Sequence, residues 1–167
     1  MPRLIRLDGA VAMEAADDFV TLADDQDLVA GNVIVSLARF QLEGEALLGE
    51  GRKVGIRLAP NEAVETLAYD LPRLAVVALT FPKYRDGRAF SAALILRQRL
   101  GFGGEVRAVG EVLLEQARFM IRSGFDAFEP ADATTPAQWS DAGHRFRHVY
   151  QRAADDLTPA FVERAGG

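Results

Sequence analysis

Cysteine is absent from this sequence. That excludes disulfides, thiol redox chemistry, Cys-ligated zinc and Cys-ligated iron–sulfur clusters built from the chain's own residues. An oxidoreductase of this composition would have to move electrons through a bound organic cofactor or a partner. Histidine is scarce: the two, His144 and His148, stand four apart on an expected helix with only Asp141 as an obvious third ligand. The metalloprotease pattern needs a Glu between its histidines, so no metal site is expected and a polar surface pair is the simpler reading. Long apolar runs are missing too. No stretch reaches the roughly 18 residues of a membrane span, and the opening MPRLIRLDG lacks the apolar core of a signal peptide. The cytoplasm is therefore the expected compartment. Positive charge is in deficit, with 19 Lys and Arg against 24 Asp and Glu and a formal net charge of −5. General nucleic-acid binding, which wants a basic surface, is not expected.

The composition that remains, 49% apolar and 26% charged over 167 residues, is that of one soluble globular domain. Residues 1–30 are irregular: a short apolar run at Leu4, Ile5 and Leu7, then an acidic stretch through Asp17, Asp18, Asp24, Asp25 and Asp27. They read as an arm or edge hairpin, the acidic residues as a solvated face. From residue 31 to 130 the pattern is regular. Runs at 32–37, 53–58, 74–81, 105–109 and 125–128 read as strands, and 40–48, 62–71, 89–100 and 111–123 as the helices between them. Such alternation predicts parallel pairing and right-handed crossovers. The expected fold is α/β, a parallel sheet of about five strands, either flavodoxin-like or a partial TIM barrel. A partial barrel needs its edge covered, which leaves a homo-oligomer open. Residues 131–167 read as a linker and a C-terminal helix with Trp139, Phe146, Val149 and Tyr150 on its apolar side.

The densest chemistry follows the most apolar of these strands. Pro82 stops it, and Lys83, Arg85 and Arg88 then form a short cationic turn before the next helix, which carries Ser91 in its first part. Ligands of α/β sheets gather beyond the carboxyl ends of strands, and Arg forks suit oxyanions. Lys83, Arg85, Arg88 and Ser91 are thus anion-binding candidates. Arg57 and Arg107, near the ends of two other strands, join them, and Arg39 could reach the same rim. The structural alternative is that Asp86 pairs with Arg85 or Arg88 and fixes the turn. Glu111 is a candidate acid or base across the crevice; as a helix-opening residue it would equally complement the helix dipole. Gly101, Gly103 and Gly104 follow a helix and precede a strand, the reverse of a dinucleotide fingerprint, and read as a helix stop.

The stretches FPKYRDGRAFS, LRQRLGFGGEVRAVGEVLLEQ and GFDAF resemble an uncharacterised bacterial family. Its members read FPKF-x-DGR-x-[FY]S, R-ERxGYxGELRAxGDVLxDQ and CGFDAF at corresponding places. The family is described as oxidoreductases associated with assimilatory sulfite reduction. Ser123 stands where members often have Cys, and Glu111 and Glu115 replace two Asp. The resemblance implies an accessory role beside sulfite reductase as partner, and the cationic loop adds a small oxyanion as the expected ligand. It equally leaves open a flavin- or nicotinamide-dependent oxidoreductase, or a non-catalytic structural subunit. It names no cofactor and no catalytic residue.

Overall fold

The computed structural model describes residues 2–83 and 85–144. The strands are β1 (Leu4–Asp8), β2 (Val11–Ala15), β3 (Phe19–Thr21), β4 (Asn32–Ser36), β5 (Val54–Leu58), β6 (Val76–Phe81), β7 (Glu105–Gly110) and β8 (Ala127–Phe128). The helices are α1 (Leu37–Gly49), α2 (Arg88–Leu94), α3 (Ala117–Ser123) and α4 (Pro136–His144). One eight-stranded mixed sheet runs in the order β2-β1-β8-β7-β6-β5-β4-β3. Neighbours from β3 to β8 pair in parallel; β1 pairs antiparallel with both β2 and β8.

This overturns the expected five-stranded, all-parallel sheet. Three further strands come from the irregular first 30 residues, and the hairpin β1–β2 adds antiparallel pairs. The flavodoxin-like arrangement fails as well, because the consecutive order from β3 to β8 contains no reversal and so no switch point. What forms is a mixed half-barrel. Its curvature follows from chain reach. Seven strand spacings laid flat would put β2 and β3 about 34 Å apart. Yet only residues 16–18 join them, and the four Cα steps from Ala15 to Phe19 reach about 14 Å. The two edges must therefore curl toward each other, with this strap running between them.

Crossovers that always advance to the next strand keep their helices on one face. There Val33, Val35, Ile56, Leu58, Val77, Leu79, Phe81 and Ala108 pack against Phe40 and Leu47 of α1, Ala93 of α2, Met120 of α3 and Trp139 of α4. The opposite, inner face carries a smaller cluster of Phe19, Ile34, Val76, Ala78 and Val109. Trp139 lies 4.5 Å, centroid to centroid, from Phe128, and its Nε1 donates to Thr134 Oγ1 at 2.9 Å. α4 also covers the outer edge of β2: the Ala12 N–H donates to Ser140 Oγ at 2.8 Å, which blunts an otherwise open strand edge.

Three expected helices come out differently. Residues 62–71 form only 3-10 turns at Val64–Leu67 and Leu71–Arg73; Pro72 has no N–H with which to continue an α-helical ladder. The helix expected over 89–100 is α-helical only to Leu94 and continues as a π turn over Ile95–Arg99. The helix expected from Glu111 begins as a 3-10 turn at Leu114–Gln116, with α3 following. Glu111 therefore opens no helix. The cause is Gly110, at φ +93°, where a Cβ would lie 2.4 Å from the Phe81 carbonyl oxygen. That close approach lets the Glu111 N–H donate to the same carbonyl at 2.7 Å and turns the chain over the end of β6. α3 ends as its sequence dictates: Gly124 is left-handed, its N–H donates to Ile121 O, and the Phe125 N–H reaches Met120 O, a Schellman stop.

Candidate functional site

A half-barrel of consecutive parallel strands presents its loops at the carboxyl ends, the end on which barrel enzymes build their sites. The amino end serves stability. Arg97, in the π turn, shows this: it donates to the carbonyls of Phe102, Gly104 and Gly124 at 2.7–3.0 Å and pairs with Asp126 at 3.1 Å. One arginine thus ties together the turns that lead into β7 and β8.

On the inner face the strand registers set a row: Arg57 opposite Ala78, Ala78 opposite Arg107, Arg107 opposite Ala127, and Ala127 opposite Arg6. Three arginines alternate with alanines across five strands, about 10 Å apart at two strand spacings each. The alanines leave room for the long side chains to lie down.

Arg107, at the centre, is fully buried. Its guanidinium donates to Asp17 through both Nη atoms (2.7 and 3.1 Å), to Glu105 at 2.7 Å and to Glu129 at 3.1 Å. The Phe19 ring lies over it, 5.9 Å from centroid to guanidinium carbon. Burial works against its charge, but the Asp17 hydrogen bonds and the Glu105 carboxylate more than offset this and push its pKa above the usual arginine range. Glu129 is pushed up by burial, against the opposing pull of the Arg107 hydrogen bond and charge. Arg6 donates to the other oxygen of Glu105 at 2.7 Å and reaches the Ala16 carbonyl at 3.3 Å. With its donors shared among three carboxylates, Arg107 is a structural tether for the strap and has no fork left for an added anion.

Arg57 differs. It is exposed, and its Nε donates to Thr80 Oγ1 at 3.2 Å; among the described residues no carboxylate pairs with it. It lines an open cleft of about 640 Å³ at the carboxyl ends of β3, β4, β5 and β6, together with Asp24, Ser36 and Glu62. Arg39 does not point into this rim. It is buried in the first turn of α1, where Ser36 caps its N–H, and it holds the cleft wall by donating to the carbonyls of Ala23 and Gln26 at 2.9 and 2.8 Å.

The cationic turn beyond β6 stands next to this cleft: Arg88, Glu62 and Thr80 share a small adjoining hollow. Lys83, Arg85 and Ser91 are exposed. Arg88 is gripped by Asp86 through Nε–Oδ1 at 3.0 Å and Nη2–Oδ2 at 2.6 Å, and its own N–H donates to Oδ1 at 3.2 Å. Those bonds from Arg88 hold the Asp86 carboxyl at a pKa of about 2. Asp86 thus occupies the donors an oxyanion would use. Glu111 lies after β7, half-buried, beside the end of β6.

Among the described residues no cluster of three or more potential ligands could hold a metal, and no helix is long and apolar enough to cross a membrane. His148 and the apolar residues Phe146, Val149 and Tyr150 fall outside the described residues; the His144 ring is hydrogen-bonded to the Ser140 carbonyl. Reading the sequence alone misses Asp17, Glu129 and Arg6. A signal existed for part of the network, since Glu105 and Arg107 alternate with the buried Val106 and Ala108 and so share the inner face.

No curated protein matches the chain in sequence. Over residues 55–161, well over half its length, the chain matches the family described as bacterial proteins of unknown function (DUF934), and it belongs to that family.

Proposed function

We propose that this protein is a cytoplasmic accessory protein of assimilatory sulfur metabolism that binds a small oxyanion at the 82–88 loop and acts beside sulfite reductase. The pathway and the partner rest on the motif resemblance. The observation that carries the anion reading is the loop's charge: Lys83, Arg85 and Arg88 against the single carboxylate of Asp86, at the carboxyl end of β6, in a chain whose formal charge is −5. Coulomb repulsion among three exposed cations is relieved by an added anion. The bonds from Arg88 to Asp86 outline the geometry: a fork and a backbone N–H converging on two oxygens. An incoming oxyanion competes with Asp86 for Arg88, with Lys83 and Arg85 adding to the loop's positive field.

Calorimetric titration of sulfite, sulfate and phosphate tests this. Arg88→Ala is expected to weaken binding by about 1.5–3 kcal/mol, the scale of a hydrogen bond to a charged group. Asp86→Asn is expected to strengthen it by removing the internal competitor. No binding to the unmodified protein would leave the loop as a structural turn held by Asp86. Co-purification with native sulfite reductase tests the partner separately. A yellow protein on purification would replace this reading with a flavin-dependent oxidoreductase.

A further inference from the structure

The cleft lined by Arg57 carries charge of a different pattern from the loop beside it. Among the described residues its one lining cation is Arg57, and its carboxylates are Asp24 and Glu62. Each carboxylate uses one oxygen within the protein: Asp24 Oδ1 accepts from Ser36 Oγ at 2.6 Å, and Glu62 Oε2 accepts from the Ala59 N–H at 2.7 Å. The second oxygen of each has no donor among the described residues, and the two Nη atoms of Arg57 have no acceptor among them.

These groups stand on a rigid frame. Arg57 is anchored in a central strand and steered by Thr80. Asp24 sits in a turn closed by Gln26, whose side chain accepts from the Ala23 N–H at 2.8 Å, and the buried Arg39 fastens that turn to α1. The orientation of these groups is therefore set before any ligand arrives, which lowers the cost of binding.

The charge balance selects the ligand. With one cation and two carboxylates the lining is net negative, so a bare dianion meets more repulsion than attraction. A divalent metal needs several convergent carboxylates, and no such group exists among the described residues. A molecule with an anionic group at one end and an ammonium at the other satisfies both. We propose that this cleft binds a small zwitterion of the amino-acid kind, its anionic group on the Arg57 fork and its ammonium on the free oxygens of Asp24 and Glu62. The site adjoins the oxyanion loop through the hollow that Glu62 shares with Arg88, but its proposed contacts include none of the loop's cations.

Nuclear magnetic resonance titration of the labelled protein tests it with glycine, β-alanine, γ-aminobutyrate and taurine. Isethionate, which keeps the taurine sulfonate but replaces the ammonium with a hydroxyl, is the control. At least one zwitterion is expected to shift the amides of residues 21–24, 57–59 and 80. Its affinity is expected to fall at least tenfold in Arg57→Gln, and isethionate is expected to bind at least tenfold more weakly than taurine. Asp24→Asn combined with Glu62→Gln turns the lining net positive and is expected to reverse the preference, so that isethionate outcompetes taurine. That reversal reads ligand choice and does not depend on a loss of binding. Arg85→Ala, at a position that lines neither the cleft nor the hollow Arg88 shares with Glu62 and Thr80, is expected to leave zwitterion binding unchanged, so failure of either site is read without the other. No amide shift with any of the four zwitterions, or equal binding of taurine and isethionate, overturns the proposal.

Discussion

Arg107 and Arg57 occupy the same row of the same sheet face, two strands apart, and their surroundings make them opposites. Over Arg107 runs the strap of residues 16–18, with Asp17 on its guanidinium and Phe19 above it. Nothing comparable covers Arg57, whose recorded bond is to a neutral hydroxyl. A buried guanidinium must be matched by carboxylates and satisfied donors, whereas an exposed one keeps most of its hydration. The same residue type is therefore architecture in one place and a candidate ligand contact in the other. What decides is the path of the chain across the inner face.

The contrast breaks most visibly at Arg107. Arg107→Met leaves Asp17, Glu105 and Glu129 without their shared cation in a water-poor place. Removing one partner of a buried ion pair costs about 3–5 kcal/mol. We expect a loss of that size in urea denaturation. Arg107→Lys recovers only part of it, because an ammonium is a point charge and cannot serve three carboxylates through a planar fork. A loss under about 1 kcal/mol for Arg107→Met, typical of surface ion pairs, would mean that the strap does not need the tether.

Asp17→Asn sharpens the comparison from the strap side. Glu105 and Glu129 still neutralise Arg107, so the buried charge stays compensated; of the two hydrogen bonds to Asp17, one keeps a neutral acceptor oxygen and the other is lost, because the Asn NH2 is a donor. The expected cost is about 1.5–3 kcal/mol, the scale of hydrogen bonds to charged groups. It should appear as a lower urea midpoint together with faster amide exchange in residues 15–20. A lower midpoint with unchanged exchange there would place the effect elsewhere.

A smaller effect separates the two arginines by pH. Burial raises the Glu129 pKa above its value in the unfolded chain, 4.5. Between those two values the folded state holds more protons than the unfolded one, so stability falls as pH rises. The contribution is fully present below 4.5 and is lost as pH rises through the folded pKa. Glu129→Gln, which stays neutral throughout, is expected to flatten the stability profile in that window. Substitution at Arg57 acts on Glu129 only through its distant field, which lowers that pKa, and is expected to shift the window slightly upward. A profile unchanged by Glu129→Gln would assign the pH dependence to Asp126, which burial raises in the same direction.

The sequence makes one half of this molecule legible and hides the other for a physical reason. The apolar runs ending at Leu58, Phe81 and Val109 are strands, because a strand covered by helices must be apolar at every second position at least. The sheet they enter is not legible: β1 and β2 lie in a stretch that reads only as an arm or edge hairpin, and β3 lies among acidic residues that read as a solvated face. Asp17 is the clearest case. Ninety positions separate it from Arg107, and only the closure of the sheet brings them together. The Lys83–Arg88 loop is legible as a cationic turn after Pro82, and so is the alternative that Asp86 pairs within it. The cleft is not, because its groups come from four different strand ends.

The smallest expected effect falls on Arg57 and is the one that isolates function from fold. Arg57→Met removes a charge that no carboxylate among the described residues pairs with and an exposed side chain hydrogen-bonded to the Thr80 hydroxyl. Thr80 is not stranded by the change, because a half-buried hydroxyl at the edge of an open cleft can turn to water. Surface substitutions away from caps, cores and buried pairs stay within about 0.5 kcal/mol, and Arg57→Met is expected to do the same by urea denaturation. If the midpoint instead fell as far as for Arg107→Met, the two arginines would be one structural network. An unchanged midpoint combined with lost zwitterion binding leaves Arg57 as a ligand contact carried on a fold that does not need it.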